Sequence, residues 1–267
     1  MKYPLGIQTF SQIREGGYVY VDKTDMIHKL VSSGKAYFLS RPRRFGKSLL
    51  ISTFEALFCE ERSLFDGLAI ADTDYDFAPY PVVKLEFTAD KMDHPDRFVN
   101  YIETVVADVA ARYDIELKDN TCNLKFHELV IKLNELNQQK VVLLIDEYDK
   151  PILDNLYSEH LTQMKSTMNG FYAMVKSLDP YLQFVFITGV SKFAKISVFS
   201  GMNNLTDISM DEDYAAVCGI TEQELQHHFG NAIDALAKKA QMSKVDMLAK
   251  IKHWYNGYRF EEDAPSV

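Results

Sequence analysis

Arg41-Pro42-Arg43-Arg44-Phe45-Gly46-Lys47-Ser48 follows the apolar run Ala36-Tyr37-Phe38-Leu39 and opens onto Leu49-Leu50-Ile51-Ser52-Thr53-Phe54. The order is a strand, a tight loop ending Gly-Lys-Ser, and a helix. Such a turn is a cradle for phosphate. Its backbone N–H groups converge on an anion, and the helix N-terminus adds partial positive charge. Lys47 is placed to reach the β- and γ-phosphates of a nucleotide, and the Ser48 hydroxyl to ligate Mg²⁺. The candidate nucleotide contacts are Arg43, Arg44, Phe45, Gly46, Lys47, Ser48 and Leu49. The loop departs from the common G-x-x-x-x-G-K-[ST] pattern at Arg41, where a glycine is usual, and Pro42 lacks an N–H donor. Arg43 or Arg44 is suited to make good that loss, because a guanidinium pairs well with phosphate. The plainer alternative for either arginine is an ion pair with Asp149 or another nearby carboxylate.

A second apolar run, Val141-Val142-Leu143-Leu144-Ile145, ends in Asp146-Glu147. Ligands of open α/β sheets sit at the carboxyl ends of strands, which brings this acidic pair beside the phosphate loop. Asp146 is suited to hold Mg²⁺ and Glu147 to polarise an attacking water. One carboxylate neutralises metal charge while the other stays free as a base. The plainer reading is that Asp146-Glu147, with Asp149-Lys150-Pro151, only begins a helix after a buried strand. A third run, Phe184-Val185-Phe186-Ile187, ends in Thr188-Gly189. Thr188 is a candidate for touching the γ-phosphate or orienting the water, against the alternative of an ordinary β-branched residue at a strand end.

Around these motifs, strands are expected at 36–40, 82–87, 141–145 and 184–188, alternating with helical patterns at 46–58, 96–113, 124–137 and 161–178. Near-continuous apolar strands separated by helices imply a mainly parallel sheet covered on both faces. The Met164, Met168 and Met174 stripe reads as core filler. Upstream, Gly16-Gly17 is a turn, 18–21 a short strand, and Asp22-Lys23-Thr24-Asp25 caps a helix running to Ser33-Gly34. Beyond about residue 210 only helices are expected. Thr221-Glu222-Gln223-Glu224 forms a capping box, with further helices at 231–241 and 243–254. We place the core at 1–210 and a small helical unit at 211–267. Net charge −9 argues against a nucleic-acid glove. Cys59, Cys122 and Cys218 fit neither a disulfide framework nor a zinc knuckle. Neither a signal-peptide core nor a run of bilayer length is present, so a cytoplasmic chain without membrane attachment is expected.

Together, Arg41 to Ser48, Ile145-Asp146-Glu147-Tyr148-Asp149-Lys150-Pro151 and Thr188-Gly189-Val190-Ser191-Lys192-Phe193 resemble the AAA-ATPase-like family of bacterial proteins. Tyr20-Val21-Asp22-Lys23-Thr24, Asn203-Asn204-Leu205-Thr206-Asp207 and Trp254-Tyr255-Asn256-Gly257-Tyr258-Arg259-Phe260 are similar too. The resemblance spans essentially the whole chain and includes the glycine-to-arginine departure at Arg41. It implies an α/β P-loop NTPase three-layer sandwich with a catalytic glutamate. It also implies an extra strand between the two Walker strands and a small C-terminal helical lid. Members often continue into a PD-(D/E)XK nuclease-like domain. Nothing of that kind is expected before Pro265-Ser266-Val267, and the sequence reads as part of a longer polypeptide. The resemblance also brings Tyr20 and Asp22 near the base, and lets the lid swing Arg259 onto the γ-phosphate as the site closes. Trp254, Tyr255 and Tyr258 are expected to pack the lid.

The reading that follows is Mg²⁺-dependent ATP binding and hydrolysis, with Glu147, Lys47, Thr188 and Arg259 as the catalytic set and Ser48 and Asp146 at the metal. No Asn-Lys-x-Asp guanine signature is evident, which favours ATP. The alternative is an ATP-gated scaffold with negligible turnover, awaiting an unidentified protein partner. A nucleic-acid motor finds no aromatic-basic stripe to support it. The oligomeric state is open.

Overall fold

The apolar runs become the strands of one sheet. In the computed structural model, which describes residues 2–192, 202, 204–255, 257–260 and 266–267, the elements follow in chain order. They are α1 (Phe10–Glu15), α2 (Thr24–Ser33), β1 (Ala36–Ser40), α3 (Lys47–Phe58), β2 (Val82–Glu86), α4 (Pro95–Arg112) and α5 (Cys122–Asn137). Then come β3 (Val141–Asp146), α6 (Lys150–Asp154), α7 (Leu161–Ser177), β4 (Leu182–Gly189), β5 (Thr206–Asp207), α8 (Glu222–Lys239) and α9 (Lys244–Trp254). The motif residues Phe193, Asn203 and Asn256, and Pro265 near the C-terminus, lie outside the described residues.

The sheet order is β2-β3-β4-β1-β5, and every pairing is parallel. β4 therefore lies between β1, which feeds the Gly-Lys-Ser loop, and β3, which ends in Asp146. This is the extra strand that the resemblance implied. Register aligns the carboxyl ends, with Ser40 opposite Gly189, Ile145 opposite Ile187, and Glu86 opposite Asp146.

Side chains alternate across the strands and divide the core in two. Phe38, Leu85, Leu143 and Ile145 face a cluster built with α4, α5 and α7. Tyr37, Leu39, Leu144 and Phe186 face the other cluster, built with α1, α2 and α3. The result is a three-layer α/β sandwich. Met164 and Met168 are fully buried within the first cluster, as core filler should be.

Three local expectations change. Residues 18–21 do not form a strand and make a single bridge, Lys2 to Tyr18, because no partner strand runs alongside. The helix read as starting near 231 is continuous from Glu222. The glycine at Gly230 costs about 1 kcal/mol against alanine, but the capping box at Thr221 and burial of Ile233 and Ala237 hold the helix straight through it. β5, two residues long, carries no apolar run that would have announced it.

Candidate nucleotide site

β1 ends at Ser40, and the Arg41 N–H donates to the Gly189 carbonyl at 3.1 Å, so the loop leaves the sheet tied to the end of β4. The chain then turns through two left-handed residues, Arg44 at φ 69° and Gly46 at φ 88°, before α3 starts at Lys47. Glycine adopts that region freely, whereas Arg44 is held there at a cost of about 1–3 kcal/mol. Lys47 is buried, and its Nζ donates to the carbonyls of Arg41 at 3.0 Å and Pro42 at 3.1 Å.

Arg41 points away from this cradle. Its guanidinium is fully buried and donates to the carbonyls of Ser40 (2.9 Å), Ser209 (2.8 Å), Tyr214 (3.2 Å) and Ala215 (3.3 Å). It also lies 3.8 Å from the centre of the Phe260 ring, a cation–π contact. Burial pulls its pKa down. The loop thus closes with the arginine side chain used as a structural peg behind it. Arg43 and Arg44 are both exposed.

The acidic pair sits across from the loop. Ser48 Oγ donates to Asp146 Oδ2 at 2.6 Å. The Thr188 hydroxyl donates to Asp146 Oδ1 and accepts from the Glu147 N–H at 3.3 Å. Each oxygen of a buried carboxylate thus meets one hydroxyl, one from α3 and one from β4. Glu147 is left-handed at φ 52°, a second strained residue at this site. Burial pushes its carboxyl pKa up. Lys47 and Arg43 oppose that rise, while Asp146 and Asp149 add to it.

Beside the loop is a cavity of about 300 Å³, lined by Tyr20, Lys23, Phe45, Leu49, Gly219 and Phe229 among others. That volume is at the lower end for ligand pockets. Its walls come from the N-terminal segment, the loop and start of α3, residues 217–220 before α8, and Phe229 within α8.

A family model described as "Predicted AAA-ATPase" matches residues 4–199. The chain belongs to the AAA-ATPase-like family. It is also 37% identical over 266 residues to a protein of Azotobacter chroococcum mcd 1 described as "Uncharacterized protein in vnfD 5'region". The match covers 98% of this chain and 49% of the relative, so the chain spans about half the relative's length.

This AAA-ATPase-like chain brings Ser48, Asp146, Glu147 and Thr188 together, with Lys47 buried in the adjoining turn and Arg43 on the exposed loop. Tyr20 lines the neighbouring cavity, its hydroxyl near Thr53 Oγ1 at 3.5 Å and its ring edge-on to Phe10. Burial pushes the Tyr20 hydroxyl pKa up. Asp22 is otherwise engaged. Its Oδ1 accepts from the Thr24 N–H and hydroxyl, and its Oδ2 from the Ala69 N–H, so it braces the cavity wall. Arg259 is not in this cavity; with Thr221, Glu222 and Gln226 it lines a separate hollow.

One alternative and one expectation are corrected. Asp149 is not an ion-pair partner for Arg43 or Arg44, because its oxygens accept from the backbone of Val190 and Ser191. Trp254, Tyr255 and Tyr258 do not form a buried lid core; they are 72%, 82% and 53% exposed. Tyr258 and Phe260 instead pack edge-on against Phe45 of the loop before α3, at 5.0 and 5.8 Å.

Sequence reasoning passed over Lys23, buried and paired with Glu224 of α8 at 2.5 Å, and Cys218, which lines the cavity and whose thiol pKa burial pushes up to about 11. A lysine inside a capping sequence gives no local sign of a partner 201 residues away.

Proposed function

We propose that this chain binds Mg·ATP and hydrolyses its β–γ phosphoanhydride. The observation that carries this reading is the Asp146 carboxylate shared between the hydroxyls of Ser48 and Thr188, with Glu147 as the next residue. The triphosphate would lie along the backbone from Phe45 to Leu49, against the N-terminus of α3. Lys47 Nζ, now held by two loop carbonyls, would exchange one of them for phosphate oxygens. The base and sugar would enter the cavity beside Tyr20 and Phe45, while Asp22 braces the wall that carries Tyr20.

A hydroxyl and a carboxylate in direct contact form an oxygen donor pair suited to a hard cation. Among the described residues no cluster of three or more His, Cys, Asp or Glu could hold a metal alone. Such an ion would take the rest of its shell from the substrate phosphates and water. Ser48 Oγ and Asp146 would hold Mg²⁺, which when bound neutralises charge on the β- and γ-phosphates. The Glu147 carboxylate would accept the proton of a water as its oxygen bonds to the γ-phosphorus. The bond from that phosphorus to the bridging oxygen breaks, releasing ADP and phosphate. Thr188 would orient the water or the γ-phosphate. Lys47, and Arg43 from the exposed loop, would meet the developing charge, and Arg259 would reach it only if the C-terminal segment closes over the loop.

The test is equilibrium binding of Mg·ATP to wild type and Lys47→Ala, with multiple-turnover phosphate release by wild type. Binding lost in the variant and release by wild type are expected. Absence of nucleotide binding by wild type overturns the reading. Tight binding without release replaces it with a nucleotide-gated switch.

A further inference from the structure

The β3–β4 ladder stops at Ile145 opposite Ile187, yet the groups that would read a γ-phosphate lie just past it. What fixes residues 146–149 against 188–191 is a set of side-chain and single backbone bonds. The Tyr148 N–H donates to the Thr188 carbonyl at 2.9 Å, and the Tyr148 hydroxyl to the Ser191 carbonyl at 2.9 Å. Asp149 completes the set. Its carboxylate, 1% exposed, accepts from the Val190 N–H at 3.1 Å, the Ser191 N–H at 2.8 Å and the Ser191 hydroxyl at 3.0 Å. A buried carboxylate is costly unless donors compensate it, and these donors come from the chain leaving β4. Asp149 does not serve α6, since its side chain makes no capping bond there. Gly189 is enclosed by the same contacts. A Cβ built there would stand 2.4 Å from Tyr148 Cε1 and 3.1 Å from Asp149 Oδ1.

We infer that Asp149 is a positioning residue: by clasping Val190 and Ser191 it holds Thr188 and the left-handed Glu147 in the arrangement that meets the γ-phosphate. The inference rests on the ATP reading above and assigns Asp149 no contact with substrate. Losing the clasp loosens Val190 and Ser191 from the end of β3, while Gly189 stays paired with β1 and bonded to the Arg41 N–H, so the cradle at Gly46–Ser48 keeps its anchor. Triphosphate chemistry should therefore suffer while diphosphate binding does not.

The test compares wild type, Asp149→Asn and Ser191→Ala in phosphate release, in Mg·ATP and Mg·ADP affinity, and in thermal midpoint. In Asp149→Asn the new amide group faces backbone N–H donors. A drop in kcat of about 10²-fold is expected, the scale of a misplaced reacting group, with Mg·ADP affinity unchanged. Ser191→Ala removes one hydrogen bond and should lower kcat on the order of fivefold; it decides the matter if Asp149→Asn does not fold. A folded Asp149→Asn with kcat within twofold of wild type overturns the inference. So does a parallel loss of Mg·ADP affinity, which marks a merely structural role. If wild type binds Mg·ATP without release, the hydrolytic reading fails and the affinity ratio decides. Loss of the ATP-over-ADP preference in Asp149→Asn upholds the positioning role, and an unchanged ratio overturns it.

Discussion

Arg41 stands where a glycine would be expected and turns its charge into the protein, away from the turn before α3. Its four carbonyl acceptors include Ser209, Tyr214 and Ala215, 168 to 174 residues further along the chain. Restoring the common pattern with Arg41→Gly should therefore harm the protein. It leaves buried carbonyls unpaired and removes the stacking on Phe260, a loss on the order of 3 kcal/mol, read as a lower denaturant midpoint. No local pattern predicts this, because every partner but Ser40 is remote. Lys47, Ser48 and Asp146 were legible for the opposite reason. Each sits at the end of an apolar strand or the start of a helix, where sequence fixes position within a residue or two. Asp149 was legible as a helix starter or an ion-pair partner but not as a clasp, since its acceptor role depends on the path of the chain leaving β4.

At the scale of elements, α3 is the support on which the site rests. Phe54 is fully buried and packs against Phe184 and Phe186 at ring separations of 5.1 and 4.7 Å. Phe54→Ala should cost about 3–5 kcal/mol, measured by urea unfolding. Leu136→Ala on α5, where the leucine is 59% exposed, should change stability by less than about 0.5 kcal/mol. Apolar runs of four or five residues made β1 and β3 readable, and helical spacing did the same for α4 and α7. β5 was unreadable because two residues carry no period, and α8 was divided because a glycine weakens a helix without ending it.

In the whole molecule, the N-terminal segment and α8 meet beside the cavity. Tyr3 stacks on Phe229 with ring centres 5.2 Å apart, and Lys23 pairs with Glu224, the side chains 7% and 23% exposed. A double-mutant cycle with Lys23→Met and Glu224→Gln should give a coupling of about 1–3 kcal/mol. The cycle is read by helical circular dichroism during denaturant unfolding. A coupling indistinguishable from zero would show that the pair does not hold α8 in place. Among the described residues no helix is long and apolar enough to cross a membrane. The three-layer sandwich followed from strand and helix alternation, whereas the packing of Tyr258 and Phe260 on Phe45 did not, because aromatic residues near a helix end read equally well as its own core.

The central claim is tested most directly by phosphate release from Glu147→Gln at saturating Mg·ATP, with binding measured on the same sample. Retained Mg·ATP affinity with release reduced about 10²-fold or more is the expected result. Turnover within twofold of wild type would contradict the assignment of Glu147 as the base, and with it the account of hydrolysis at this site.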